Sequence, residues 1–171
     1  MRLAVLPAFG SKWLLPRLKD FYIAHPGVTI HLYFLPHIEA LDFNASEVQA
    51  AIYVGVSGWH DLTIDLLKAE ELVVIASPLL NYTQHVHSEQ RVAEELLLGV
   101  SGNSKIWCEW FSYHSLPYFS MRIGPTFETI SHLIRAVIEG VGIGLVPRIL
   151  VEEELLRGDL VCWGKPLTTY N

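Results

Sequence analysis

"GPTFETISHLIRAVIEGVGIGLVP", Gly124 to Pro147, is the stretch on which the fold turns. Gly140, Gly142 and Gly144 have the spacing that opens a nucleotide-binding fingerprint. Such a fingerprint needs a strand before the glycines and a helix after them, so that helix amides face the pyrophosphate. Here the order is reversed. Phe127, Ile130, Leu133, Ile134, Val137 and Ile138 recur at helical spacing ahead of the glycines. Thr126 stands as the expected N-cap, with Glu128 at the positive end of the helix dipole. Ile143-Gly144-Leu145-Val146 follows as an apolar run expected to be a buried strand. The glycines therefore close a helix at its carbonyl end, which repels phosphate. They form a tight helix-to-strand joint, and an anion belongs at the other end, near Thr126.

Composition sets the outer limits. A chain of 171 residues with 51% hydrophobic content can build one sizeable domain or two small lobes, and is not a disordered polymer. No apolar run reaches membrane-span length and the N-terminus lacks a signal-peptide pattern, so a cytoplasmic location without membrane contact is expected. A formal charge of −6 is wrong for a module that neutralises phosphates, so this chain is not expected to hold DNA by itself. Cys108 and Cys162 are far apart with no CxxC. They read as two free thiols, a bridge being the alternative.

Outward from the glycine joint the chain alternates strands and helices. Arg2 to Leu6 reads as a strand and "PAFGSK" as a loop, before a helical stripe of Leu14, Leu15, Leu18, Phe21 and Tyr22. Pro16 either falls in the first turn of that helix or kinks it. "HPG" breaks the pattern, "VTIHLYFL" alternates as a strand, and "VQAAIYV" reads as a strand buried on both faces. "LVVIAS" is a further strand. "ELLLGVS", "KIWCEWFSYHS" and "FSMRIG" then repeat the strand, helix, strand course, and "PRILVEEELLRG" closes as a helix from Pro147 to Gly158. This order implies an α/β architecture with largely parallel sheets. The repeated course suggests two Rossmann-like lobes: lobe I over about 1–76 plus about 147–171, and lobe II over about 77–146.

"LAVLPAFGSKWLLPRLKDFYIAHPGVTIHL", "VQAAIYVGVSGWHDL", "ELVVIASPLL" and "AVIEGVGIGLVPRILVEEELLRGDLV" together cover nearly the whole chain. In their order and spacing they resemble the effector-binding domain of LysR-type transcriptional regulators, nearest the glycine-cleavage and β-lactamase-inducing group. The resemblance implies a periplasmic-binding-protein-like fold with a ligand cleft between two lobes, no enzymatic activity, and a homodimer that assembles further in the full-length regulator. The stripe Leu14 to Tyr22 and the helix Phe127 to Ile138 are the candidate dimer contacts. The family's winged helix-turn-helix is not in this sequence, so DNA binding is expected only through a domain absent here. The family's usual closing strand and helix are also missing, so the C-terminus reads as truncated.

Ligands in open α/β sheets bind beyond the carboxyl ends of strands. The corresponding loops offer Phe9, Ser11, Lys12 and Trp13, then Pro36 and His37, from lobe I. Lobe II offers Ser101, Gly102 and Asn103, then Thr126 and Phe127. Hydroxyls of Ser11, Ser101 and Thr126 beside backbone amides suit a carboxylate or other small anion, such as an amino acid. Phe9, Trp13 and Phe127 suit an apolar wall. The bland reading of each is a helix cap, a turn former or a core residue. No cofactor and no metal is expected. His85 and His87 read as a solvated loop, Glu152 to Glu154 as a solvated helix face, and His60-Asp61 as adjacent in sequence only. Neither "GVSG" is a G-x-S-x-G nucleophile elbow, which disfavours a small hydrolase. The other alternative is a solute-binding protein of a transport system, for which an export signal is expected.

Overall fold

The computed structural model describes residues 1–38, 41–55, 62–80, 89–103 and 105–169. Packing divides the chain into two compact units, Met1–Leu67 and the remainder from Lys68 onward.

The first unit is a three-stranded parallel sheet in the order β2-β1-β3, formed by β1 (Arg2–Val5), β2 (His31–Phe34) and β3 (Ala50–Ile52). The central position of β1 buries Ala4 and Val5 completely. "PAFGSK" is helical rather than a loop. From α1 (Pro7–Phe9) the chain passes through a π-helical segment, Gly10–Leu14, into α2 (Leu15–Ala24). Pro7 at the first turn is preset for helix, and Pro16 sits in the first turn of α2. Pro16 has no amide to complete an ordinary turn. The wider turn just before it, where the Leu15 amide reaches the Gly10 carbonyl, absorbs that gap. Gly10 is needed for packing, since a Cβ there would lie 2.5 Å from Cε1 of Phe34. β3 is half-buried instead of buried on both faces, as an edge strand of a narrow sheet must be.

The second unit is a five-stranded sheet in the order β6-β5-β7-β4-β8. Along the chain run β4 (Glu70–Ala76), α3 (Glu89–Glu94), β5 (Leu96–Val100), α4 (Ile106–Tyr113), β6 (Arg122–Phe127), α5 (Ile130–Ile138), β7 (Ile143–Pro147), α6 (Glu152–Arg157) and β8 (Val161–Thr169). Strands β6, β5 and β7 are parallel, but β4 runs antiparallel to both β7 and β8. The largely parallel arrangement is interrupted here by β4 alone, which inserts between two strands that run the other way. The sheet buries Val74, Leu97, Ile143 and Trp163 against Trp107, Trp110 and Phe111 of α4. Strands β4, β7 and β8 share one sheet, and the packing division falls after Leu67.

The glycine joint does what its order demanded. Gly140 is left-handed (φ 77°), with its amide on the Val137 carbonyl and the Val141 amide on that of Ala136. This pair of bonds is the Schellman closure of α5. A Cβ on Gly142 would meet the Leu96 carbonyl oxygen at 2.5 Å, and one on Gly144 would meet Leu133 Cδ2 at 2.5 Å. These two glycines let β7 lie flush against β5 and α5.

Other readings are corrected by pairing. Strand β6 runs on through Thr126 and Phe127, which face Gly99 and Val100, so the helix begins three residues later than its periodicity suggested. Helix α3 and strand β8 were not anticipated. Gly164 and Pro166 disguise β8, yet as an edge strand it tolerates a residue without an amide, and its register shifts there opposite Leu72 and Val74. The run from Pro147 to Gly158 begins as strand and a short 3-10 turn before α6. Within it Glu154 is buried, against the solvated-face reading, while Glu152 and Glu153 keep to the surface.

Candidate functional site

In the first unit the loops after β1 and β2 leave the same edge of a parallel sheet. Phe9 and Trp13, one helical turn apart, stack with ring centroids 4.9 Å apart. A turn further on, the Arg17 guanidinium lies 4.4 Å from the Trp13 ring and donates to the Trp13 carbonyl at 2.9 Å. The result is a half-exposed aromatic column closed by a cation. Arg17 was missed, although its i, i+4 relation to Trp13 was legible. Ser11 is not at a helix start. It lies inside the π segment, where its hydroxyl donates back to the carbonyls of Pro7 (2.9 Å) and Ala8 (3.3 Å). Lys12 is half-buried beside it, and Pro36 and His37 are exposed just beyond β2.

In the second unit β5 ends in the turn Ser101-Gly102-Asn103, with Gly102 left-handed at φ 85°. The Ser101 amide donates to the Phe127 carbonyl at 2.8 Å, and the Asn103 amide to the Val100 carbonyl at 3.1 Å. Ser101, Asn103, Thr126 and Phe127 therefore meet at the carboxyl ends of β5 and β6. Thr126 is exposed and is not the cap. The N-cap of α5 is Thr129, whose hydroxyl oxygen accepts from the His132 amide at 3.3 Å and lies 2.9 Å from His132 Nδ1. Sequence reasoning missed Thr129 and His132, because Thr126 fits the same capping pattern and only the β6 pairing separates the two. The first turn of α5 presents amides and the positive end of the dipole, which contributes roughly 0.3–1 kcal/mol toward an anion.

Other chemistry is sparse. Among the described residues no group of three metal-ligating side chains occurs. His60, Asp61, His85 and His87 lie outside the described residues. Both cysteines are free thiols; Cys108 is exposed, and burial pushes the Cys162 thiol up, keeping it protonated and a poor nucleophile. Among the described residues no helix is long and apolar enough to cross a membrane.

Two α/β units, each with loops at the carboxyl ends of its strands, are the parts of a two-lobed, periplasmic-binding-protein-like domain. The family model described as the LysR substrate binding domain matches residues 1–166. The chain belongs to that family. It is 29% identical over 163 residues to the glycine cleavage system transcriptional activator of Escherichia coli (strain K12), covering 95% of this chain and 52% of that protein. To the HTH-type transcriptional activator AmpR of Pseudomonas aeruginosa it is 29% identical over 148 residues, 86% of this chain and 48% of the relative. The chain thus spans about half the length of these curated relatives. Its structure is similar to the effector domain of the transcriptional regulator AmpR of Pseudomonas aeruginosa, with TM-score 0.80, 25% identity, and coverage of 99% of this chain and 80% of that one. The AmpR effector binding domain from Citrobacter freundii is similar in fold, with TM-score 0.80, 20% identity and coverage of 98% and 82%. The homologues are transcription regulators, and the chain is a LysR-type effector-binding domain.

Proposed function

We propose that this domain senses a small-molecule effector, an amino acid or other small anion, and passes the change to DNA-binding domains elsewhere in the parent regulator. The observation that carries the reading is the grouping of Ser101, Asn103 and Thr126 with the first turn of α5 at the carboxyl ends of β5 and β6. Phe127 supplies an apolar flank there. Phe9, Ser11, Lys12, Trp13, Pro36 and His37 form the matching set on the first unit. One helix end contributes at most about 2 kcal/mol, whereas moving a two-state equilibrium from 1:99 to 99:1 takes about 5.5 kcal/mol. The ligand therefore has to engage both sets, each meeting it well in only one arrangement of the lobes. A cytoplasmic homodimer is part of the same reading. No residue of α2 is buried, which leaves its Leu15, Tyr22 and Ile23 available to a partner, whereas α5 uses Leu133, Ile134 and Val137 on its own unit.

Thermal unfolding against a panel of amino acids, small carboxylates, nucleobases and cell-wall fragments tests this. A true effector at a hundred times its dissociation constant adds about 2.7 kcal/mol of stability. The increment should disappear in Thr126→Val. If an effector stabilises Thr126→Val and Ser11→Ala as strongly as the parent chain, the site assignment is wrong.

A further inference from the structure

Away from these loops, the end of α4 carries the most unusual polar arrangement among the described residues. His114, the C-cap of α4, has a side chain only 9% exposed, set beside the start of α3. Its ring lies against Trp110, with centroids 4.2 Å apart, and meets Tyr113 edge-on at 5.0 Å. Nε2 of His114 and Nε1 of Trp110 are both buried and have no hydrogen-bond partner among the described residues. On its other side His114 Nδ1 stands 3.9 Å from Oε1 of Glu89, the first residue of α3, close enough for charge attraction but too far for a hydrogen bond. From β8 the position of Gly164 closes the group, its virtual Cβ lying 3.8 Å from Glu89 Oε1 and 3.9 Å from Trp110 Cζ2. Among the described residues the charges acting on the imidazole are Glu89 from α3 and Lys165 from β8.

We propose that the junction of α3, α4 and β8 is an acid-responsive joint, in which protonation of His114 loosens α3 and the edge strand β8 from α4. In the neutral ring Nε2 is an unpaired but uncharged acceptor, which costs less than an unpaired charge. An imidazolium would place a charged N–H there with no acceptor, and a buried unpaired donor costs about 1–3 kcal/mol, more when charged. Burial accordingly holds the His114 pKa below its ordinary value; Glu89 pulls it back up and Lys165 pushes it down. The sign follows from linkage. The unfolded chain binds the proton more readily than the folded one, so the contribution is complete above the ordinary imidazole range and is lost as pH falls through it. Among the described residues β8 pairs with β4 alone, so it can part from α3 and α4 without breaking a second ladder.

Hydrogen exchange of the 171-residue chain between pH 8 and pH 5 is the test, read as protection factors so that the intrinsic pH dependence of exchange cancels. Amides of α3 and β8 should lose protection on acidification relative to those of β5 and β7, about tenfold for each pH unit by which folding lowers the His114 pKa. His114→Phe should remove the difference. Should that variant fail to fold, two surface changes decide instead. Glu89→Gln should move the midpoint of the loss to lower pH, and Lys165→Met to higher pH. Uniform loss across the sheet, an unchanged pH response in His114→Phe, or no opposite movement in the two charge variants would overturn the proposal.

Discussion

The two units of this chain are both rich in apolar residues and use them differently. In the second, a five-stranded sheet with α4 and α5 buries whole aromatic rings; Trp110 and Phe111 are 0% exposed. In the first, burial among the described apolar residues is confined to Leu3, Ala4, Val5 and Ile38, α2 buries none, and Tyr33 and Phe34 of β2 stay 40% and 43% exposed. Apolar content is therefore a poor guide to core. What separates the units is the number of layers and strands available to cover each face. The second unit closes a core of its own, and the first leaves apolar and aromatic side chains exposed.

Two pairs of substitutions probe that contrast, and a third pair probes the cap of α5. Trp110→Ala should have the largest effect, about 3–5 kcal/mol in denaturant unfolding, since it empties the centre of the second unit's core. A loss no greater than that from Phe34→Ala in the first unit would erase the distinction. Next, Gly142→Ala forces a Cβ against the backbone oxygen of Leu96, which cannot turn aside, and should cost roughly 1–3 kcal/mol. Gly10→Ala meets the Phe34 ring at the same 2.5 Å, but that ring is half-exposed and can swing, so its midpoint in urea should move much less. Equal shifts would show that the first unit is as tightly packed as the second. The smallest expected change is Thr129→Ala, about 1 kcal/mol for a lost N-cap. Thr126→Ala, on an exposed strand position, should be nearly neutral for stability; the reverse ranking would return the cap to Thr126.

Much of the architecture was legible because it rests on local rules. Helical periodicity ahead of Gly140, with an apolar run behind it, identified the joint, and the αL requirement at Gly140 needed no partner to be seen. Strands β1, β3, β4, β5 and β7 are legible as apolar runs, β2 as an alternating one, and the start of β6 in "FSMRIG". The two missed elements have different causes. Strand β8 contains Gly164 and Pro166, which break strands in general but are allowed at an edge with shifted register. Helix α3 is six residues long and too short to show a period.

The candidate site divides along the same line. The chain order alone set Phe9 and Trp13 after β1 and Ser101 and Asn103 after β5; the structure put Phe9 and Trp13 onto one helical face. It could not decide whether Thr126 or Thr129 caps α5, because both precede apolar residues at the right spacing. Pairing of Thr126 with Gly99 decided it, and such pairing is a contact between residues 27 positions apart. The direction of β4, the burial of Glu154 and the enclosure of His114 were settled the same way. Local preferences of a few tenths of a kcal/mol to about 1 kcal/mol per residue specify elements, while the choice among their partners is made by the burial and hydrogen bonding that only the assembled sheet supplies.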